Sequence, residues 1–432
     1  MNKSNNFPNI LIFSNNCFSK SSSNGRTLSN FFIGWPNKNL AQFYIQNETP
    51  DFDVCSNYFR VTDKEALYSI IKKYYPNGSI DVKLTSENNT IKTNTYRNVK
   101  RTPITCIVRD IIWNTNKWRN ENFELWINKF SPDVILLQAG DSPFMLKLAE
   151  NIAREKNIPL VIYNSEDYYF KDKNYFRDSS RNSILYKVFI NKLRRQFKNT
   201  MKYSSHNIYN TDMLKETYYK EFKDNSSVLM TNTSLKGEFK YRNRDKLVIS
   251  YLGNLGVGRH EPLIQIANSI NKIDNKLKLN IYGNIPNQYI NDAFKNCNSI
   301  DYRGVVPYEE VIKIIEKSDL LIHAENFNEF YQIDLKHAFS TKIADSLASG
   351  VCLVLYAPKQ LACTNYLLDK NAAYVITDPN SLDEKLSKII SDIDLRKQYA
   401  ENALILADEN HNISKNCEKF RKIIIDVIKK WE

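Results

Sequence analysis

An apolar run, a polar loop and a short helix follow one another in residues 319–350, an order typical of α/β nucleotide-binding units. Asp319–Ala324 is rich in strand formers and predicts a buried strand. Ser340 or Thr341 can cap a helix that ends at Gly350, because hydroxyl side chains bond the first amides of a helix and glycine tolerates the left-handed conformation beyond its end. The N-terminus of this helix is therefore predicted to face the loop.

The predicted helix has two charged residues in positions suited to a nucleotide. Its first amides and its dipole favour a phosphate group, and Lys342 adds a full positive charge. Asp345 lies one turn further on, where its carboxylate can accept hydrogen bonds from ribose hydroxyls. The alternative is a solvated Lys/Asp pair three residues apart.

A second turn, rich in glycine, follows a strand in the middle of the chain. Residues 246–253 form a mostly apolar strand, and the turn at 254–260 leads into an amphipathic helix. Gly256 and Gly258 let the backbone approach a ligand closely, and Arg259 lies at the start of the helix, where a guanidinium can bind a diphosphate at two points. Because Gly-x-Gly also marks ordinary turns, the prediction depends on the pairing of both loops.

The C-terminal half, which contains both loops, resembles the retaining family 4 glycosyltransferases. Their GT-B architecture is α/β, with two Rossmann-like domains facing across a cleft. That family has Gly-Arg after the first strand of its second domain and a Lys a few residues later, and both cations bind the donor diphosphate. Here Gly253-Asn254 replaces Gly-Arg, and Arg259 falls where the Lys is expected. The resemblance implies a GT-B fold for this chain.

The E-x7-E motif of the same family is a second point of resemblance. Residues 345–350 (DSLASG) match its end, with Asp345 in place of the Glu that binds ribose. His337 stands where the first Glu of the motif would contact the donor sugar. The stretch 339–350 is similar to a divergent branch common among surface-polysaccharide transferases, in which Lys342 would be the phosphate ligand.

The N-terminal half shows alternating strands and helices, which implies a parallel sheet. Apolar strands are predicted at residues 9–13, 134–137 and 158–163, with a helix over 146–153. A dinucleotide-binding oxidoreductase would show GxGxxG directly after the first strand, and residues 14–17 (SNNC) do not. This class of enzyme is therefore disfavoured.

Glu166 and Asp167 follow the third of these strands. Members of the resembled family often have His and then Asp at this point, and that His lies near the reacting sugar. The resemblance implies a catalytic position for Glu166, and the alternative is a solvated loop carboxylate.

These observations define the predicted site. The predicted catalytic residues are Arg259, Lys342 and Glu166. The predicted donor-binding residues are Gly253, Asn254, Gly256, His337, Ser340, Thr341 and Asp345. The resemblance implies that the leaving diphosphate accepts the acceptor's proton while cations and helix ends stabilise its charge. No metal or cofactor is expected, since the donor loop has no DxD-type carboxylate cluster.

The length of 432 residues exceeds what one core usually holds and predicts two domains. We place an N-terminal Rossmann-like domain, on the acceptor side, at residues 1–240, and a donor-binding Rossmann-like domain at 241–432. The basic segment 236–246 is the expected linker. The last helix, with its apolar face over 413–431, is expected to cross back to the first domain.

The net charge of +12 is unevenly distributed, with six basic residues between Lys187 and Lys202 interleaved with apolar ones. One interpretation is a surface helix that contacts anionic lipid, and the other is a helix with a buried apolar face and a solvated basic face. No nucleic-acid-binding motif accompanies the charge. The net charge favours membrane contact, because anionic diphosphate donors and lipid-linked acceptors both suit a basic protein. We predict peripheral membrane contact and no nucleic-acid partner.

Seven dispersed cysteines without CxxC spacing favour a reduced compartment, and the five histidines show no metal constellation. No apolar run is long enough for a signal peptide or a membrane span. The predicted location is the cytoplasm, at the inner face of the membrane.

The predicted activity is transfer of a hexosyl unit from a nucleoside diphosphate sugar to a glycan or polyprenyl-linked glycan, with retention, in surface polysaccharide synthesis. Two alternatives stay open. One is a sugar-nucleotide epimerase of the same fold, and the other is a non-catalytic glycan-binding or scaffold relative.

Overall fold

The computed structural model describes residues 7–19, 23–72, 76, 78–80, 101–171, 176, 183–240 and 246–432. The chain divides into two compact units. Unit 1 contains residues 1–229 and 417–432, and unit 2 contains residues 230–416.

Unit 1 is built on a sheet of eight strands in the order β4-β3-β2-β1-β5-β6-β7-β8. All described neighbours are parallel except β3 and β4. The strands are β1 (Ile10–Phe13), β2 (Leu40–Tyr44), β3 (Asn57–Arg60), β4 (Ser79–Ile80), β5 (Val134–Gln138), β6 (Leu160–Asn164), β7 (His206–Tyr209) and β8 (Ser226–Val228). Every residue of β1, β2 and β6 is buried, as expected for parallel strands covered on both faces.

Helices cover both faces of this sheet, and several begin at hydroxyl caps. Thr62 and Thr102 each form a capping box with the residue three positions later. The helices of unit 1 are α1 (Ser23–Ser29), α2 (Asp63–Ile71), α3 (Pro103–Asn114), α4 (Glu121–Phe130), α5 (Pro143–Lys156), α6 (Ile184–Tyr203) and α7 (Asp212–Phe222), with 3-10 turns at Asn30–Phe32 and Asn37–Asn39.

Unit 2 has a six-stranded parallel sheet in the order β11-β10-β9-β12-β13-β14. Its strands are β9 (Ile249–Leu252), β10 (Leu279–Tyr282), β11 (Ile300–Gly304), β12 (Leu320–Ala324), β13 (Cys352–Tyr356) and β14 (Tyr374–Ile376). Its helices are α8 (His260–Ile273), α9 (Gln288–Lys295), α10 (Tyr308–Lys317), α11 (Glu329–Leu335), α12 (Thr341–Leu347), α13 (Ala362–Asp369), α14 (Leu382–Ser391) and α15 (Ile393–Asn410), with a 3-10 turn at Pro379–Ser381. This strand order is that of a Rossmann sheet.

The last helix, α16 (Ile413–Trp431), belongs to unit 1 from residue 417 onwards. Phe420 packs among aromatic rings of the N-terminal segment, with ring centroids 5.2 Å from Phe32 and 5.8 Å from Phe31. Ile424 and Val427 are buried in the same core. Among the helices that the structure describes, none combines the length and apolarity needed to cross a membrane.

Unit 2 begins at residue 230, earlier than the boundary expected at residue 240. The reason is a set of hydrogen bonds that hold residues 231–237 within unit 2. The amide of Thr233 donates to the carbonyl of His411 (2.9 Å), and the amide of Gly237 donates to the carbonyl of Ala348 (2.7 Å). Part of the expected linker is therefore packed, and residues 241–245 of it lie outside the described residues.

His411 anchors this segment from inside unit 2. It is fully buried, its Nδ1 donates to the carbonyl of Thr231 (2.7 Å), and its Nε2 accepts from the hydroxyl of Tyr366 (2.9 Å). Burial lowers the pKa of His411 from 6.5 to about 4, and the bond to Thr231 opposes that shift only in part. The imidazole is therefore neutral in the folded protein at neutral pH.

We predict that His411 makes the folded state sensitive to acid. Its pKa is lower in the folded than in the unfolded chain, so its contribution is complete above the unfolded value and is lost as pH falls from 6.5 towards 4. The loss between neutral pH and pH 5 should be about 2 kcal/mol. Urea unfolding across this interval should show a shallower pH dependence for His411→Gln than for the wild type, and equal slopes would contradict the assignment.

Candidate functional site

The order of strands in unit 2 places two loops at one point of the sheet. The chain leaves β9 towards one side and β12 towards the other, and these two strands are adjacent. Ligands of open α/β sheets bind at such a switch point, beyond the carboxyl ends of the strands. Residues 253–259 follow β9 and residues 325–328 follow β12, so these two loops define the candidate site.

Asn254 shapes the first loop. Its side-chain oxygen accepts a hydrogen bond from the amide of Gly256 (2.8 Å), and its carbonyl accepts one from the hydroxyl of Tyr251 (2.9 Å). Gly253 allows close packing here, because a Cβ at this position would lie 2.5 Å from the Tyr251 hydroxyl. Asn254 therefore stabilises the conformation of this loop. Its predicted role is to bind the nucleotide-sugar donor.

The end of the loop has an unusual backbone. Val257 has a φ of 54° and Gly258 a φ of 70°, both in the left-handed region, which is strained for a β-branched residue. A Cβ on Gly258 would lie 2.5 Å from the ring of Tyr331 and 2.6 Å from Nδ2 of Asn326. The side-chain amide of Asn326 donates to the carbonyl of Gly258 (2.7 Å) and to a carboxylate oxygen of Glu261 (3.0 Å). The second loop therefore holds the first in this conformation.

Arg259 and Glu325 join the two loops by a bidentate ion pair. Nε of Arg259 donates to Oε2 of Glu325 (2.8 Å) and Nη2 donates to Oε1 (2.7 Å), while Nη1 donates to the carbonyl of Asn254 (3.3 Å). Both side chains are largely buried, with 13% of the Arg259 side chain and 4% of the Glu325 side chain exposed. Nε2 of His323 lies 3.1 Å from Oε1 of Glu325.

These contacts determine the protonation of Glu325. Burial alone would raise the pKa of this carboxyl, but Arg259 and then His323 outweigh burial and lower it to about 2. Conversely, burial disfavours the charge on Arg259, and Glu325 outweighs that effect and raises its pKa. The pair is therefore fully charged, and three of the five N–H groups of Arg259 are used within the protein.

His260 is the first residue of α8 and follows Arg259 directly. It is buried, and neither ring nitrogen has a hydrogen-bond partner among the described residues. Burial lowers its pKa, so the ring is neutral. A neutral imidazole offers one donor and one acceptor next to the glycine loop.

The residues predicted around α12 lie in the expected local structure. The hydroxyl of Ser340 caps this helix by accepting from the amide of Lys342 (3.4 Å), and Thr341 is its first residue. His337 is buried in the turn before it. The amide of Ala362 donates to the carbonyl of Lys336 (2.8 Å), which fixes that turn against α13.

Asp345 is buried and binds a residue far away in the sequence. Its Oδ1 accepts a hydrogen bond from the hydroxyl of Thr233 (2.7 Å). Gly350 follows with a φ of 73°, and a Cβ there would lie 2.2 Å from the carbonyl of Glu238. The segment that begins unit 2 therefore packs directly on the helix that carries Asp345.

In unit 1, Glu166 and Asp167 have different environments. Glu166 is exposed, and its Oε2 accepts from the hydroxyl of Tyr168 (3.1 Å). Asp167 is buried, and its Oδ1 accepts from the Tyr218 hydroxyl (3.0 Å) and from the amides of Tyr169 and Phe170. Asp167 thus fixes the loop that presents Glu166.

Other polar groups lie at the same edge of the unit 1 sheet. Asp141, in the loop after β5, is buried and bonds Arg101 through Nη2 (2.6 Å). Asn164, the last residue of β6, is fully buried, and its side-chain amide has no hydrogen-bond partner among the described residues. The carboxyl edge of this sheet therefore also carries polar groups suited to a ligand.

Sequence analysis missed Glu325, Asn326 and Thr233 as residues of this site. A signal existed for the first two, because they follow directly after the strand that was predicted at 319–324. No local signal identifies Thr233, whose partner Asp345 lies 112 residues away in the sequence. Within the described ranges, no group of His, Cys, Asp and Glu has the arrangement of a metal site.

Comparison with known sequences matches one region of the chain. Residues 259–422 match the family described as Glycosyl transferase-like. The uncharacterized glycosyltransferase MJ1069 of Methanocaldococcus jannaschii is 26% identical over 128 residues. This match covers 29% of the chain and 30% of that relative, so it spans less than a third of the relative's length.

Comparison with solved structures covers nearly the whole chain. Sucrose-phosphate synthase from Thermosynechococcus elongatus has a TM-score of 0.63 at 10% identity, over 98% of this chain and 99% of that chain. HepE of Anabaena in complex with UDP has a TM-score of 0.61 at 10% identity, over 96% and 99%. WaaG, a glycosyltransferase involved in lipopolysaccharide biosynthesis, has a TM-score of 0.55 at 12% identity, over 96% and 99%. The chain therefore has the GT-B fold, and in residues 259–422 it resembles glycosyltransferases in sequence as well.

Proposed function

We propose that this protein is a glycosyltransferase that moves a hexosyl unit from a nucleoside diphosphate sugar to a glycan or lipid-linked glycan, with retention of configuration. We further propose that it acts in surface polysaccharide synthesis, in the cytoplasm and at the inner face of the membrane. The structural relatives with bound ligands favour a uridine nucleotide as the first donor to test, since structures of HepE contain UDP and UDP-glucose.

The observation that carries this proposal is the pairing of two loops at the switch point of unit 2. The loop after β9 has three glycines and a backbone held in the left-handed region, and the loop after β12 fixes it through Glu325 and Asn326. Such a loop presents backbone amides at fixed positions, which suits it to phosphate oxygens.

In the proposed reaction Arg259 and Lys342 stabilise the charge that builds on the leaving diphosphate. Arg259 keeps two N–H groups beyond those that bond Glu325 and Asn254, and Glu325 orients the guanidinium. Lys342 adds a second cation, so the proposal needs no metal ion. The leaving phosphate accepts the proton of the acceptor hydroxyl. Glu166, exposed in unit 1, is proposed to contact the reacting sugar or its acceptor.

Donor recognition is proposed to involve the remaining predicted residues. Asp345 accepts hydrogen bonds from the ribose, and Ser340 and Thr341 lie at the start of its helix. His337 contacts the donor sugar, because it stands where the resembled family has its first Glu. His260 offers a further donor and acceptor at the glycine loop.

The direct test is a donor screen. The full chain is incubated with UDP-glucose and other nucleoside diphosphate sugars, with and without glycan acceptors, and release of nucleoside diphosphate is measured. Release that requires an acceptor and yields a retained linkage supports the proposal. Release without an acceptor would favour the epimerase, and binding of glycan without any turnover would favour a non-catalytic relative.

Removal of either proposed cation should weaken donor binding. We expect Lys342→Ala and Arg259→Ala each to lower kcat/KM by about 10- to 150-fold, because each removes a charge-assisted hydrogen bond. Arg259→Ala should also lower stability, because it leaves the Glu325 carboxylate buried and uncompensated, which should cost about 3–5 kcal/mol.

Lys370→Ala provides the matched control for this pair, since Lys370 is exposed in the same unit just after α13. It should retain wild-type kinetics. If Lys342→Ala behaved like Lys370→Ala on the true donor, the assignment of Lys342 to the diphosphate would be lost.

The two roles of Asp345 can be separated with Thr233. Asp345→Asn should weaken binding of nucleoside diphosphate in calorimetry, because an amide is a poorer acceptor for ribose hydroxyls. Thr233→Val removes the hydrogen bond to Asp345 but keeps the carboxylate, so it should lower the melting temperature and retain binding. Equal nucleotide affinity in Asp345→Asn and wild type would leave Asp345 with its packing role alone.

His337 should distinguish the sugar from the nucleotide. A neutral imidazole can both donate and accept, unlike an ionised Glu, so its loss should affect hydroxyl recognition. We expect His337→Ala to weaken binding of UDP-glucose while leaving binding of UDP intact, provided that UDP-glucose is the donor. Equal loss for both ligands would place His337 at the diphosphate instead, and no loss would remove it from the site.

A further inference from the structure

Two helices of unit 1, α3 and α6, lie side by side. Their beginnings are joined through Phe176, whose ring lies 5.6 Å from the guanidinium carbon of Arg101 and 6.2 Å from the ring of Tyr186. Further along, Asp110 of α3 forms an ion pair with Lys192 of α6. Contacts at the start of both helices and further along them indicate that the helices run in the same direction, so their exposed residues adjoin.

This surface exposes six large apolar side chains, each between 42% and 80% exposed. On each helix they recur at spacings of three or four residues or follow one another at its start, so they share a side of that helix. They are Ile104, Val108 and Ile111 on α3 and Ile184, Leu185 and Val188 on α6. We call them the apolar patch. Single exposed apolar residues are ordinary, but a cluster on adjoining helices marks an interaction surface.

The patch has a strongly basic border. Helix α6 contains six basic residues and no acidic one, and Lys187, Arg195 and Lys202 are exposed along it. The single acidic residue of α3 is Asp110, which is buried and paired with Lys192. The exposed charges carried by α3 and α6 themselves are therefore positive.

One end of this surface lies beside the carboxyl edge of the unit 1 sheet. Arg101, just before α3, bonds Asp141 (2.6 Å), and Arg109 donates through Nη1 to the hydroxyl of Ser142 (3.1 Å). Asp141 and Ser142 belong to the loop that follows β5. Parallel sheets bind their ligands at this edge, so the patch adjoins the region where an acceptor would be held.

We propose that the apolar patch and its basic border dock unit 1 on a membrane that contains anionic lipid. The apolar side chains enter the boundary between headgroups and acyl chains, and Lys187, Arg195 and Lys202 contact the headgroup phosphates. This inference rests on the proposed function in one respect, because a lipid-linked acceptor explains why the surface adjoins the ligand edge. Apolar contact and charge act together in this mode of binding, whereas a solvated basic helix would need no apolar patch.

The test measures binding of the full chain to vesicles of phosphatidylcholine alone and of phosphatidylcholine with phosphatidylglycerol. We expect binding to the anionic vesicles that weakens as salt is added. Ile104→Ser with Ile111→Ser should weaken it by about 10-fold or more. Lys187→Gln with Arg195→Gln should weaken it by roughly 5-fold per cation. The matched control is Ile405→Ser with Lys397→Gln on α15, which removes an exposed apolar and an exposed basic side chain from unit 2 and should bind as the wild type.

Three outcomes would overturn the proposal. The first is that the wild type does not bind anionic vesicles. The second is that Ile104→Ser with Ile111→Ser leaves this binding unchanged. The third is that the wild type self-associates and the same double variant is monomeric but binds vesicles as before. Circular dichroism of each variant establishes that it is folded. The assay contains no sugar nucleotide, so its result and the result of the donor screen are independent.

Discussion

The buried ion pair between Arg259 and Glu325 is the contact on which the arrangement of the candidate site depends. It joins the loops that follow two adjacent strands, and both side chains are largely buried. Loss of one partner leaves a buried charge, which typically costs about 3–5 kcal/mol. His323 adds a further contact to the same carboxylate. The geometry of the guanidinium is thus determined by the protein before any donor binds.

The contacts between these two loops also explain why the strained backbone at Val257 persists. A left-handed β-branched residue costs roughly 1–3 kcal/mol, so its surroundings must hold it in place. The side-chain amide of Asn326 donates to the carbonyl of Gly258, the residue after Val257. The ring of Tyr331 leaves room only for glycine at position 258. Rigidity of this kind fixes the direction of backbone amides. In the proposed phosphate site, these amides are therefore ordered during folding and not during the reaction.

The parts of this protein that were predictable from sequence are those governed by local rules. Strand β12 and helix α12 follow from apolar runs and from the Ser340 cap, and the GT-B fold follows from motifs that occupy short stretches. The cap and helix start at Ser340 and Thr341 fall where the hydroxyl pattern places them, because capping needs only neighbouring residues. The pairing of two loops at one edge was also predictable, since parallel strand order brings successive carboxyl ends together.

The hydrogen-bond and ion-pair partners that lie far apart in the sequence could not be predicted in this way. Arg259 was predicted as a diphosphate ligand from its position alone. In the structure it bonds Glu325 and the carbonyl of Asn254, so only its remaining N–H groups could bind the proposed diphosphate. Asp345 is similar, since the Thr233 hydroxyl already bonds one of its oxygens. In both cases the motif identifies a candidate residue for the site. The tertiary partner of that residue then determines how many of its hydrogen-bonding groups a ligand can use.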